Sequence, residues 1–287
     1  MSSALPDATP RRETRTVERD EGTAFTVTLS RATAAAAPLV LVVPAMGVPA
    51  GYYHRLIDAL AEAGISAAVT EQRGYEASGG RVPGWRYDFG YADLIDDLRA
   101  SLTALAGVAD PGQGTYLLGH SLGGQVASGY LAETAGDPET SETSPVDGLL
   151  LVASQSPYWR GYGSRFLALS QAMGLLARVV GHFPGPQVGF AGREARGLMT
   201  EWARFARSGR LRYAGREPDL AAVTVPVLAV TIDGDTLAPP DSTEQLLRLM
   251  PSAPVTRAHL TAGTHFTWAR RPDAVLPTIA DWLAGVR

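Results

Sequence analysis

The chain has no cysteine among its 287 residues and no lysine, so all 25 basic residues are arginine. The first absence excludes disulfides, thiolate nucleophiles and thiolate-ligated zinc. The second excludes Schiff-base chemistry and serine–lysine dyads, which need an amine that can lose its proton. Histidine is scarce too. His54, His120, His182, His259 and His265 are the five available, so few side chains qualify as a general base near neutral pH. The net charge of -4 lacks the basic excess of a nucleic-acid binder. No metal and no cofactor are expected.

Long hydrophobic runs are also missing. The N-terminal stretch "MSSALPDATPRRETRTVERDEG" has no apolar segment of the kind a secretory signal carries. Residues 1–13 read as a disordered tail. Residues 32–53 are uncharged and long enough for a membrane span. However, Pro38, Pro44 and Pro49, with Gly47 and Gly51, interrupt them, which leaves only "LVLVV" as a short strand. The expectation is a cytoplasmic protein with no membrane span.

What is present is an alternation of short apolar runs and amphipathic stretches. "LVLVV" (39–43), "ISAAVT" (65–70), "TYLLG" (115–119), "GLLLVA" (148–153), "VPVLAVTI" (225–232) and "APVTRAHL" (253–260) read as buried strands. Helical patterns separate them, such as Leu56, Ile57, Leu60 and Ala61 before Gly64. This order predicts an α/β fold with a mostly parallel sheet covered by helices on both faces. The alternating stretch within residues 14–30 adds an antiparallel strand at one edge.

The alternation fails between the 148–153 and 225–232 strands. Phe166, Leu169, Met173, Leu176 and Val180 share one helical face, and Leu198, Trp202 and Phe205 share another. Residues 155–220 therefore read as a helical cap inserted into a core formed by 14–154 and 221–287. Most of the apolar side chains should be core, and a minority should line a pocket beneath the cap.

"GHSLGG" places Ser121 between a strand and a helix, among Gly119, Gly123 and Gly124. A nucleophilic serine needs this setting. The strained turn exposes the hydroxyl, and the new helix points N–H groups at a developing oxyanion. A serine also needs a base, and the base an orienting acid, in the chain order serine, acid, histidine. His265 follows the last strand. His259 lies within that strand, His120 should point away from the serine, His54 is on the first helix and His182 in the cap. "DGDTLAPP" offers Asp235 as the acid and Asp233 as the alternative, while "ASQSPYW" after the 148–153 strand offers none. The oxyanion donors expected are the backbone N–H groups of Met46 and Leu122.

On "GHSLGG", "DGDTLAPP" and "GTHFTWARRP", in that order, residues 35–287 resemble the α/β-hydrolase superfamily. They are most similar to its monoacylglycerol-lipase-like and serine-aminopeptidase-like groups, and closer still to bacterial hydrolases carrying "PAMGVPAGYY". The resemblance implies an eight-stranded sheet, a Ser–His–Asp triad and a variable cap. Two departures stand out. Pro44-Ala45 replaces a His-Gly pair at the oxyanion loop. In "EQRGYEASGG", Glu71 replaces an aspartate and Glu76 a glycine, leaving Arg73 as an ion-pair partner and Ser78 as a turn residue.

The chemistry expected is acyl transfer from a small-molecule ester or thioester, with water as the default acceptor. Thioesterase, acyltransferase and non-catalytic binding roles stay open. Residues 155–216 hold ten arginines against Glu194 and Glu201. That cationic stretch raises the possibility of an anionic substrate, weighed against an ordinary solvated face.

Overall fold

The computed structural model describes residues 12–19, 22–34, 36–77, 79–135 and 146–286. "LVLVV" forms strand β3 (Leu39–Val43), buried along its whole length. Leu39, Leu41 and Val43 enter the core on one face of the sheet, and Val40 and Val42 enter the core on the other. A strand covered on both faces has no polar side to show, which is why its sequence does not alternate.

Around it lie β1 (Arg12–Glu18), β2 (Ala24–Ser30), β4 (Ser66–Thr70), β5 (Thr115–His120), β6 (Gly148–Val152), β9 (Val227–Ile232) and β10 (Val255–Leu260). Their spatial order is β1-β2-β4-β3-β5-β6-β9-β10. Every pairing from β4 to β10 is parallel, and β2 alone runs against its neighbours. The alternating N-terminal stretch is thus two strands, and its pairing reaches Arg12 opposite Ser30. Helices α1 (His54–Glu62) and α8 (Leu276–Gly285) cover one face, the latter through Ile279, Trp282 and Leu283. Helices α2 (Tyr91–Ala104), α3 (Leu122–Ala135) and α7 (Pro240–Leu247) cover the other.

The edge strands are tied down by a buried charge network. Arg19 forks onto Asp97 of α2 at 2.9 Å through both nitrogens, and also reaches Glu76 at 2.9 Å. Arg73 makes a second fork onto Asp97, at 2.8 and 2.9 Å. Glu71 accepts from Thr26 N and Ala77 N, each at 2.7 Å. The two glutamates that depart from the family pattern therefore anchor β1 and β2. Ser78 lies outside the described residues.

Between β6 and β9 the chain leaves the sheet. It forms α4 (Ser164–Val180), a short antiparallel pair of β7 (His182–Pro184) and β8 (Arg193–Ala195) enclosing α5 (Gly185–Val188), and then α6 (Arg196–Ser208). Helices α4 and α6 pack so closely that a Cβ on Gly174 would meet Ala203 Cβ at 2.7 Å. Among the described residues no helix is long and apolar enough to cross a membrane.

Candidate active site

Ser121 sits between β5 and α3 with φ 52°, the left-handed region that a non-glycine residue rarely occupies. The neighbours make that conformation possible. A Cβ on Gly119 would collide with Gly124, and one on Gly123 with the Val43 carbonyl oxygen. Strand, helix and the preceding β3 loop thus converge at van der Waals distance, and only glycine fits between them.

The loop after β10 brings His265 to Asp235 from the loop after β9. His265 Nδ1 donates to Asp235 Oδ2 at 2.8 Å, with both side chains buried. The other carboxylate oxygen accepts from Leu237 N at 2.9 Å and Ala238 N at 3.0 Å, so Asp235 is aimed by its own loop. Asp233 is exposed, and its backbone N–H is spent on Leu260 O. His259, exposed on β10, bonds Thr231 Oγ1 instead. Of the two acids in this loop, Asp235 is the one in contact with His265.

Ser121, His265, Met46 and Leu122 all line one pocket of about 300 Å³. The N–H groups of Met46 and Leu122 have no partner among the described residues. Nor does Ser121 Oγ bond His265 there, a contact that often tightens only with substrate bound. Phe166, Leu169 and Met173 from α4, Trp202 from α6, Phe190 and Phe266 supply an apolar wall. Gln125 and Gln155 supply its polar part, with Gln125 Nε2 donating to Gln155 O at 2.9 Å. None of the ten arginines lines this pocket. Arg196 pairs with Asp88, and Arg210 and Arg212 both pair with Glu217, just past the arginine-rich stretch. These arginines do not line the pocket that holds Ser121 and His265.

His120 points away from Ser121, and the position it takes is informative. Its Nε2 lies 2.8 Å from the His265 carbonyl, which can only accept, so Nε2 carries the proton. Nδ1 then accepts from Tyr53 Oη at 2.7 Å, and Tyr53 Oη in turn accepts from Ala45 N at 2.9 Å. Burial holds the imidazole pKa well below the usual histidine range, and the neighbouring His265 pushes the same way, so the ring stays neutral. This chain joins the Met46 loop, the Ser121 turn and the His265 loop. Sequence reasoning missed it, although Ala45 and Tyr53 both lie in "PAMGVPAGYY".

This architecture is the α/β-hydrolase fold. The yeast monoglyceride lipase from Saccharomyces cerevisiae, solved as a soluble variant with a substrate analogue, superposes with a TM-score of 0.67 at 17% identity, covering 100% of each chain. The structure of DcsB with its substrate analogue gives 0.67 at 13% identity, over 96% of this chain and 99% of that one. A putative hydrolase from Agrobacterium vitis S4 gives 0.66 at 16% identity, over 96% and 98%. No curated protein matches by sequence. The family model described as serine aminopeptidase, S33, matches residues 34–193, more than half of the chain, and the protein belongs to that family of hydrolases.

Proposed function

We propose that the protein is a serine hydrolase of carboxylic esters, acting through an acyl-serine intermediate. In this reading Ser121 Oγ attacks the ester carbonyl while His265 Nε2 takes the hydroxyl proton. Asp235 fixes the imidazole tautomer and stabilises the imidazolium that forms. Met46 N and Leu122 N receive the oxyanion, and each such donor is typically worth ~3 kcal/mol to the transition state. Collapse breaks the ester C–O bond and passes the proton from His265 to the leaving alcohol. A water activated by the same histidine then releases the acid. Residues 155–220 act as the cap that walls the acyl site.

The observation that carries this reading is the 2.8 Å His265–Asp235 bond beside a serine held at φ 52° in the same pocket. Two features favour an ester over the peptide that the family description suggests. No aspartate or glutamate lines the pocket, so no carboxylate waits there for an α-ammonium group. The wall is apolar aromatic and aliphatic, suited to an acyl chain. The absence of arginine from that wall also favours a neutral acyl group over an anionic one.

A panel of p-nitrophenyl esters beside aminoacyl p-nitroanilides tests the reading. Ester turnover that vanishes in Ser121→Ala is expected. Faster turnover of the anilides would assign the protein to peptide chemistry.

A further inference from the structure

Seven large hydrophobic side chains are exposed among the described residues, and three of them share α4: Leu169 at 51%, Leu175 at 61% and Val179 at 69% exposure. With Ala168 and Ala172, also exposed, they form one stripe at spacings of three and four. Apart from Arg165 and Arg178, α4 carries no charged residue at all.

Beside this stripe lies a second feature. A hollow of about 140 Å³ between α4 and α6 is lined by Arg178, Arg204 and Arg207, with Gln171, Thr200 and Leu175. None of these three guanidinium groups is in an ion pair among the described residues. Glu201 sits one turn from Arg204, but its carboxylate accepts from Tyr91 N and Ala214 N on the core side. No carboxylate lines the hollow itself, although Glu201 and Arg204 attract each other electrostatically.

The two features and the acyl pocket follow one another around α4. Leu169 belongs to both the pocket and the stripe, and Leu175 to both the stripe and the hollow. We propose that this outer face of the α4–α6 pair docks on an anionic phospholipid bilayer, with a headgroup phosphate in the arginine hollow and the leucine–valine stripe in the acyl boundary. Apolar side chains flanked by arginines, without acids between them, are the composition that holds a helix in such an interface. Charge complementarity selects the phosphate, which a guanidinium fork matches in shape as well as sign. Docking in this way would place the pocket edge at Leu169 next to the lipid from which an apolar ester partitions. The surface itself does not depend on the ester reading, and its test reads binding alone.

The test is co-sedimentation of Ser121→Ala protein with vesicles of phosphatidylcholine, and with vesicles that also contain phosphatidylglycerol. Retention is expected on the anionic vesicles, weakening as salt rises. Each arginine near the surface contributes about fivefold to partitioning, so Arg204→Ala with Arg207→Ala should lose more than tenfold. Leu175→Ser with Val179→Ser should also release the protein, with circular dichroism confirming the fold. The salt dependence of the unsubstituted surface stands as a check should the arginine variant misfold. Equal retention on neutral vesicles, or none on either kind, overturns the proposal. So does saturable binding of glycerol phosphate in solution without vesicle retention, which would mark a soluble phosphate ligand instead.

Discussion

His120 donates from Nε2 to the backbone carbonyl of His265 at 2.8 Å. The residue next to the candidate nucleophile thus holds the loop of the candidate base. The same ring takes the Tyr53 hydroxyl on its other nitrogen, and Tyr53 takes the Ala45 N–H. Three loops from different strands are fixed by one neutral imidazole and one phenol.

Removing the phenol oxygen isolates the contribution of this chain. Tyr53→Phe leaves Ala45 N and His120 Nδ1 without partners in a fully buried site. Unmade buried hydrogen bonds cost about 1–3 kcal/mol each, so chemical denaturation should show a loss of that order or somewhat more. Ester kinetics should show a fall in kcat with little change in KM, because Tyr53 does not line the pocket.

The buried imidazole also sets a pH dependence. Its folded-state pKa lies well below the unfolded value, which is about 6.5. Above that value both states are neutral and the contribution is intact. As pH falls below it, the unfolded chain takes up a proton that the folded ring refuses, so stability drops. His120→Asn removes the titration. The variant should be less stable than wild type at neutral pH, and the gap should narrow as the pH is lowered below 6, followed by thermal unfolding across pH.

The acid assignment separates two aspartates two residues apart. Asp235→Asn should lose roughly four orders of magnitude in kcat, because the amide favours the wrong imidazole tautomer. Asp233→Asn should retain wild-type kinetics, since that side chain is exposed. A larger loss at Asp233 would reverse the assignment.

Pocket shape makes a prediction about chain length. Met173 and Phe190 line the cavity from the insertion between β6 and β9, whereas Ser121 lines it from the turn between β5 and α3. Met173→Trp should leave acetyl-ester turnover close to wild type and lower octanoyl-ester kcat/KM by tenfold or more. A chain-length profile with the same shape as wild type would move the acyl site elsewhere.

The parallel sheet was legible in the sequence because each buried strand is a continuous apolar run bounded by turn residues, as at "LVLVV" and "GLLLVA". The Ser121 turn was legible too, since its glycines answer to local collisions with Gly124 and the Val43 carbonyl. Less legible was β1, whose exposed and charged residues give a weak alternation. Its place depends on Arg19 and Arg73 sharing Asp97, a contact across many residues of sequence. The short β7 and β8 strands escaped notice because three residues carry no period. The Tyr53–His120 link is likewise a long-range pairing that no local pattern encodes. The arginine count pointed to a cationic insertion but not to which side of α4 and α6 carries the charge. Gly174 and Ala203, packed against each other, line the arginine hollow and not the pocket at Ser121.

The account turns on Ser121 being an activated nucleophile. Labelling with a fluorophosphonate probe, followed by peptide mapping, measures this directly. The prediction is a single adduct on Ser121, abolished in Ser121→Ala and greatly slowed in His265→Ala. A well-folded wild-type protein that takes no label, or takes it on another residue, would contradict it.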